Sequence, residues 1–347
     1  MMNRDDALCT IAPMSVSICV VAYNEEIYLP MLLKDIEQQT YQHSLIQIVL
    51  IDSISTDGTL KTMEEFKKNV SGDFSSVIIA QNPKKIQATG WNVAISLSSK
   101  DVIVRIDAHA RIPSDFVAKN IECLKNGEYI SGGIRKCLAV SDTPWQKLLL
   151  EAENSAFGSG INICRRANAK TYVKTMFHAA YKKEVFQIAG IFNENLLRTE
   201  DNEMHYRIRS AGYKFCLNPD IISYQYMRNT LLRMIRQKYC NGYWIGKTLG
   251  VCPGCISIFH LVPAAFVVGV LVTTFCTFLG LQWPSLILWV SYCALALLMT
   301  LTSMYKNSFH IIMLLMPFVF LVIHLSYGLG TVLGIISNKG VIKNENS

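Results

Sequence analysis

The chain has 347 residues, of which 51% are hydrophobic and 17% charged, and its formal net charge is +7. This length allows two domains, and the mild positive charge gives no reason to expect a nucleic-acid partner. The charged residues are distributed unevenly. Of the 33 Lys and Arg, only Lys306, Lys339 and Lys343 lie beyond residue 250, and of the 26 Asp and Glu only Glu345 does. We therefore divide the chain into a soluble front part and an apolar back part.

Short apolar runs alternate with helix-like patterns along the first 110 residues. The predicted strands are 15–22, 47–51, 76–80 and 101–106, and the helices between them are 25–38, 59–70 and 85–98. Strands alternating with helices predict an α/β fold with a mostly parallel sheet. Ligands of such sheets bind beyond the carboxyl ends of the strands.

Polar residues follow each of these four strands, at residues 23–26, 52–59, 82–85 and 107–109. Loops are polar in general, which accounts for any one of these segments. Four polar segments that converge on a single sheet edge indicate a binding site there.

The fourth strand ends in an acid and an imidazole one residue apart, Asp107 and His109. Side chains at positions i and i+2 of a strand point to the same face, so the two can act as a pair. Mg²⁺ and Mn²⁺ prefer oxygen ligands and take imidazole less often, and they need few protein groups when a diphosphate supplies the rest. The alternative is an ordinary turn in which Asp107 makes a local hydrogen bond.

A second cluster of acids follows in residues 196–207, LLRTEDNEMHYR. Thr199 as the N-cap, with acids in the first turn of a helix, explains the cluster without any catalysis. In the functional interpretation, Asp201 accepts a proton from an attacking hydroxyl.

Later elements are predicted as helices at 114–124, 145–157 and 200–211, and as strands at 129–136, 175–180 and 214–217. Residues 158–174 read as a long loop, which in a compact domain is usually functional or mobile. Residues 229–255 mix basic, aromatic and apolar side chains, and we expect an amphipathic segment on the membrane surface.

Three charge-free stretches of the back part, 256–281, 285–303 and 309–336, are near or above the ~20 residues that cross a membrane as a helix. The first twenty residues do not resemble a signal peptide, and basic residues crowd the approach to the first stretch. We therefore expect a multi-pass protein of the cell (plasma or inner) membrane with residues 1–228 in the cytoplasm. Three spans would place the C-terminal tail outside the cell. Lys339 and Lys343 in this tail argue weakly against that location, because positive charges favour the cytoplasmic side.

The eleven cysteines are scattered, mostly in apolar runs, and are expected to be reduced. Cys252 and Cys255 form one CxxC pair, but no second pair completes a zinc site.

The motifs VVAYNEE, IDSISTDGT, DAHA and TEDNE, in this order, resemble the family 2 glycosyltransferases with a GT-A fold. They are most similar to the bacterial branch typified by the succinoglycan β-glucosyltransferases, which carries DAH where DxD is more usual. The resemblance covers roughly residues 16–244, followed by membrane spans as in that branch. It implies a GT-A nucleotide-sugar-binding domain followed by transmembrane helices.

The resemblance implies a role for several residues around a nucleotide-sugar donor. Those expected to border the donor are Ala22, Tyr23, Glu25, Asp52, Asp57, Lys84, Lys85 and Asp107. Asp107 and His109 are expected to hold a Mn²⁺ or Mg²⁺ ion on the diphosphate. Asp201 is the expected catalytic base, with Glu200 as its neighbour. Arg236 and Gln237 lie in a segment similar to that bearing the QxxRW motif of processive synthases, although the motif is not intact here, and we count them with the donor site.

Three positions depart from the family pattern. Ser53 replaces the second acid of DDGSTDGT, and His109 replaces the second acid of DxD. Trp91 stands where many relatives have an arginine, so the charge of the diphosphate would be neutralised by the metal and the lysines alone.

The resulting expectation is an inverting, metal-dependent hexosyltransferase. It would move a sugar from a nucleotide-diphosphate sugar, expected to be a UDP-sugar, to a lipid-linked or membrane-proximal acceptor in bacterial exopolysaccharide, capsule or cell-surface glycan synthesis. Its other expected partners are membrane lipids and glycan-assembly proteins. Two alternatives stay open: a processive polysaccharide synthase, and a catalytically silent membrane scaffold that keeps the fold. A transport channel has less support, because the three stretches contain no Asp, Glu, Lys or Arg.

Overall fold

The computed structural model describes residues 13–158, 167–306 and 310–342. Residues 159–166 of the predicted loop 158–174 lie outside the described residues. The strands are β1 (Val16–Ala22), β2 (Ile46–Asp52), β3 (Ser76–Gln81), β4 (Val102–Asp107), β5 (Ala110–Arg111), β6 (Ile130–Leu138), β7 (Thr171–Val173), β8 (Ala179–Lys182) and β9 (Phe215–Tyr226).

Helices connect these strands and make up most of the described back part. In the front part they are α1 (Leu29–Glu37), α2 (Thr59–Asn69), α3 (Gln87–Leu97), α4 (Phe116–Lys125), α5 (Pro144–Asn154), α6 (Glu184–Ala189) and α7 (Glu200–Ser210). The later ones are α8 (Leu231–Val251), α9 (Val262–Phe278), α10 (Trp283–Lys306) and α11 (Met316–Ile342). Short 3₁₀ turns occur at His43–Leu45, Pro253–Cys255, Ile258–His260 and Ile311–Leu315.

The strands of the described residues form one sheet in the order β3-β2-β1-β4-β8-β6-β9-β5, with β7 also paired to β9. The first four strands in this order are parallel, as the alternation of strands and helices predicted. Strand β8 then runs antiparallel to both β4 and β6. The predicted α/β fold is confirmed, with a mixed sheet in which the parallel half comes first in the chain.

Two predicted strands differ from those observed. The predicted strand 175–180 is wrong at its start, because the structure has strands at Thr171–Val173 and Ala179–Lys182 instead. The strand predicted at 214–217 extends to Tyr226. Asn218, Pro219 and Asp220 have no partners on β6, where the register shifts between Gly132 and Ile134, and the pairing resumes at Ile222.

The sheet separates two apolar cores, as expected for a parallel sheet with helices on both faces. Side chains from α1, α2 and α4 pack on one face, around Leu32, Met63 and Phe116. The other face carries α3, α6 and α7, around Trp91, Phe186 and Met204.

Two helices of the described residues are long and apolar enough to cross a membrane, Trp283–Tyr305 and Ile311–Ser337. The helix in the first predicted stretch, α9, has 17 residues and is shorter. Helix α8 packs along α11 at very short range. A Cβ atom added at Gly242 would overlap the carbonyl oxygen of Tyr327, and one added at Gly334 would overlap that of Tyr243. The membrane-surface location of α8 stays a prediction, and its observed packing partner is α11.

Candidate active site

The predicted polar segments come together at one sheet edge. In the strand register Ala22 lies opposite Asp52, Asp52 opposite Gln81, and Val21 opposite Asp107. The carboxyl ends of the four parallel strands are therefore level with one another, and their following loops share one edge.

The first two loops bind each other through polar groups. Asn24, with φ of 55°, donates its backbone N–H to the Ser55 hydroxyl and accepts one from the Thr56 N–H through its side chain. Asp52 is buried and accepts the Ser55 N–H at 3.2 and 3.3 Å. Asp57 accepts hydrogen bonds from the Thr59 N–H and hydroxyl. Asp52 and Asp57 thus shape this loop pair, and their contacts to a nucleotide stay a prediction.

Glu25 and Gln225 bracket the imidazole of His109. A Glu25 carboxylate oxygen lies 3.1 Å from His109 Nδ1, and the Gln225 amide nitrogen lies 2.7 Å from His109 Nε2. Burial alone would lower the pKa of His109. The hydrogen bond to Glu25 and the negative charges of Asp107 and Glu25 outweigh burial and raise it.

Asp107 is held by two side chains from later in the chain. His178 Nε2 and Gln225 Nε2 each lie 3.3 Å from Asp107 Oδ2. Behind it, Nδ1 of the buried His178 lies 2.9 Å from the Ser223 hydroxyl. Burial alone would raise the pKa of Asp107. The hydrogen bond from His178, with the charges of His178, Arg105 and His109, overrides burial and lowers it far below its usual range.

The arrangement of Asp107 and His109 fits a divalent cation. A single nitrogen, Gln225 Nε2, is within hydrogen-bonding distance of both Asp107 Oδ2 and His109 Nε2, so the two ligand atoms face a common point. Within residues 13–158, 167–306 and 310–342, no three His, Cys, Asp or Glu side chains are grouped to hold a metal. Two protein ligands suit an ion that takes its remaining ligands from a diphosphate and water.

Asp201 lies at the start of α7 and binds Arg105 of strand β4. Arg105 is 3% exposed, and both of its terminal nitrogens donate to the Asp201 carboxylate. The guanidinium also stacks on the rings of Trp91 and Phe192, at 4.4 and 5.2 Å from their centroids. Because Arg105 precedes Asp107 by two residues in one strand, both lie on the same face, about 7 Å apart along the strand. The candidate base and the candidate metal ligand are thus held over neighbouring positions of β4.

The start of α7 differs from a simple helix cap. Thr199 has φ of 66° and makes no side-chain cap; its hydroxyl lies 2.6 Å from that of Thr248 on α8. Thr199 stands at the predicted N-cap position, but it makes no side-chain cap because its hydroxyl contacts α8 instead. Arg198 likewise donates to Asn241 of α8 at 2.8 Å. Glu200 is buried beside Asp201, and burial together with the charge of Asp201 raises its pKa.

The remaining predicted donor residues lie on the rim or further away. Lys84 forms an ion pair with Glu194 at 2.6 Å, and the Lys85 ammonium lies 5.8 Å from the centroid of the exposed Tyr23 ring. Trp91, in the position of the family's arginine, is buried beneath Arg105. On α8, Arg236 is exposed and Gln237 half-buried, and their part in donor binding stays a prediction.

Three residues of the site were not predicted: Arg105, His178 and Gln225. Arg105 had a signal, because it interrupts the apolar run VIVRID two residues before Asp107, on the same strand face. The other two come from β9 and from the segment before β8, and no local pattern marks them.

The comparisons with known proteins agree with this fold. Residues 17–188 match the model of the family described as Glycosyl transferase family 2. The chain therefore carries a family 2 glycosyltransferase domain, and the predicted family is confirmed.

Several curated proteins are similar to this chain. "Succinoglycan biosynthesis protein ExoA" of Rhizobium meliloti (strain 1021) is 28% identical over 204 residues, which cover 58% of this chain and 59% of that protein. "O-antigen chain rhamnosyltransferase WbaN" of Salmonella anatum is 28% identical over 279 residues, covering 72% of this chain and 84% of the relative.

A solved structure shares the fold over almost the whole chain. The "Mannosyltransferase PcManGT from Pyrobaculum calidifontis in complex with GDP-Man and Mn2+" has a TM-score of 0.57 and 17% identity. The match covers 94% of this chain and 88% of that one.

Proposed function

We propose that this protein is an inverting glycosyltransferase that uses a divalent cation and a nucleotide-diphosphate sugar, with UDP-sugars as the first donors to test. The acceptor is a lipid-linked or membrane-proximal saccharide in polysaccharide or cell-surface glycan synthesis. The observation that carries the proposal is the arrangement on β4. Arg105 holds Asp201, and Asp107 follows two residues later on the same strand face beside His109.

The chemistry needs a leaving group on one side of the sugar and a base on the other. A cation held by Asp107 and His109 would neutralise charge on the diphosphate as the glycosidic bond breaks. Asp201 accepts the proton of the acceptor hydroxyl while that hydroxyl attacks the anomeric carbon in line. One displacement inverts the configuration, and no covalent enzyme intermediate forms.

Asp201 keeps lone pairs available while it binds Arg105. A carboxylate has about four lone-pair sites, and Arg105 uses two of them. The Asp201 side chain is 20% exposed, so an acceptor hydroxyl can reach the remaining sites.

The back part supports a membrane-proximal acceptor. Two helices of the described residues are long and apolar enough to span a membrane, and α8 joins α11 to the start of α7 through Thr248 and Asn241. We propose that the front part lies on the cytoplasmic side of the cell membrane. There the active site is close to a lipid carrier.

The test is turnover of a panel of nucleotide-sugars by the purified full-length protein in lipid nanodiscs. The panel is run with Mn²⁺, with Mg²⁺ and with a chelator, and with a polyprenyl-diphosphate-linked saccharide as acceptor. We expect one donor class to release nucleoside diphosphate and to add a single sugar to the acceptor. Many added sugars would indicate a processive synthase. Failure of a folded protein to turn over any donor would favour a silent scaffold.

A further inference from the structure

The contacts around His109 define which of its two nitrogens carries the proton. A carboxylate oxygen only accepts, so the Glu25 oxygen at 3.1 Å requires a proton on Nδ1. In the neutral imidazole, Nε2 then carries a lone pair, and it faces the point shared with Asp107. Carboxylate–histidine pairs of this kind orient the imidazole ligands of many metal sites.

The orientation of the Gln225 amide is fixed independently. Arg135 donates from its terminal nitrogen to the Gln225 carbonyl oxygen at 2.6 Å. Because a guanidinium only donates, the amide N–H₂ group must point the other way, to His109 Nε2 at 2.7 Å and Asp107 Oδ2 at 3.3 Å. An N–H₂ group aimed at two ligand atoms occupies the point that a cation would take.

We propose that Glu25 and Gln225 are the positioning residues of the cation site. Glu25 holds His109 in the tautomer whose Nε2 lone pair faces the cation. Gln225 directs its N–H₂ group to the same two ligand atoms, Asp107 Oδ2 and His109 Nε2, and so competes with a cation for them. The inference depends on the proposed function only for the identity of the ion. Neither Glu25 nor Gln225 is proposed to be a metal ligand.

The two roles predict opposite effects on metal affinity, measured as Mn²⁺ binding to the full-length protein without donor. Glu25→Gln frees both tautomers, and we expect affinity to fall by about 10- to 100-fold. Gln225→Met removes the competing hydrogen bonds, and we expect affinity to rise by about fivefold. Glu26→Gln is the matched control, because the Glu26 carboxylate does not bind His109. It accepts a hydrogen bond from the Gly58 N–H at 2.7 Å. Its affinity should equal that of the wild type.

Unchanged Mn²⁺ affinity in Glu25→Gln would overturn the role of Glu25. Reduced affinity in Gln225→Met would overturn that of Gln225 and make it a ligand. A second measurement uses the wild type alone and therefore does not depend on whether a variant folds. It records the ¹⁵N chemical shifts of His109 in histidine-labelled protein. We expect the pattern of an Nδ1-protonated ring, and an Nε2-protonated ring would overturn the inference. Wild-type protein that binds Mn²⁺ as expected but transfers no sugar would count against the proposed function alone.

Discussion

Both carboxylate oxygens of Asp201 accept hydrogen bonds from the guanidinium of Arg105, with Nη2 donating to Oδ2 at 3.1 Å. A buried guanidinium needs a charged partner. Burial alone would lower the pKa of Arg105, but the charge of Asp201 outweighs burial and raises this pKa. Trp91 and Phe192 leave the guanidinium little room to move. The strand that carries the predicted metal ligand therefore also fixes the direction of the predicted base.

Replacing Arg105 tests this positioning role. In Arg105→Met, Asp201 loses its bidentate partner, and we expect kcat to fall at least tenfold while KM for the donor changes little. Arg105→Lys keeps the charge but cannot bind both oxygens in the same way, so it should restore kcat only in part. Steady-state kinetics of both variants provide the measurement.

Arg207→Met is the matched control for Arg105, because Arg207 binds Glu203 at 2.6 Å within the same helix as Asp201. It should keep its turnover. An equal loss of kcat in both arginine variants would indicate a general effect on folding and count against a specific role of Arg105.

Asp107→Ala tests the metal site. The substitution removes one of the two converging ligand atoms, so we expect stimulation of turnover by Mn²⁺ to disappear. The measurement compares turnover in Mn²⁺ with turnover in a chelator, for the wild type and the variant. Wild-type turnover that is equal under the two conditions would rule out this role for Asp107.

Glu200 makes stability depend on pH. Burial and the Asp201 charge raise its pKa to about 8 in the folded state, whereas an unfolded Glu titrates near ~4.3. Its contribution to stability is fully present below the unfolded value and is lost as the pH rises through the folded value.

Glu200→Gln cannot ionise and should therefore be more stable than the wild type at pH 8.5 and nearly equal at pH 4.5. A difference of ~1 kcal/mol corresponds to about 2–4 °C in the unfolding midpoint for a domain of this size. The measurement is the thermal unfolding midpoint of the wild type and of Glu200→Gln at the two pH values. A constant difference between the two proteins at both values would contradict the prediction.

The packing of α8 on α11 depends on glycines. In Gly242→Ala and Gly334→Ala, the new methyl group meets a backbone carbonyl oxygen of the other helix. Overpacking of this kind typically costs about 1–3 kcal/mol, so the thermal stability in detergent should fall. Gly269→Ala is the control. Its new methyl group would lie 3.4 Å from a side-chain carbon of Leu288, which is an ordinary contact, so its thermal stability should equal that of the wild type. Equal stability of all three variants would exclude close α8–α11 packing.

Local patterns predicted the parallel half of the sheet well. There, β1, β2 and β3 are apolar runs that are each followed by a helix, and β4 is a fourth such run. This periodicity is enough to bring residues 23–26, 52–59 and 107–109 to one edge. The second half of the sheet was predicted less well. Residues 218–221 have no partners on β6, and the parallel pairing of β9 with β6 resumes at Ile222, which no local pattern indicates. Gln225 and His178 reach Asp107 from distant parts of the chain, and such contacts follow from tertiary packing alone.

The most direct test of the central claim is Asp201→Asn, because a base that acts on the acceptor is needed for turnover and not for donor binding. Donor turnover and binding of the nucleoside diphosphate are measured on the same preparation in Mn²⁺, with Glu203→Gln as the control on the same helix. We predict that Asp201→Asn loses about 10²- to 10⁴-fold in turnover and keeps its nucleotide affinity, whereas the control keeps both. Normal turnover in Asp201→Asn, with or without weaker nucleotide binding, would contradict the assignment of Asp201 as the base.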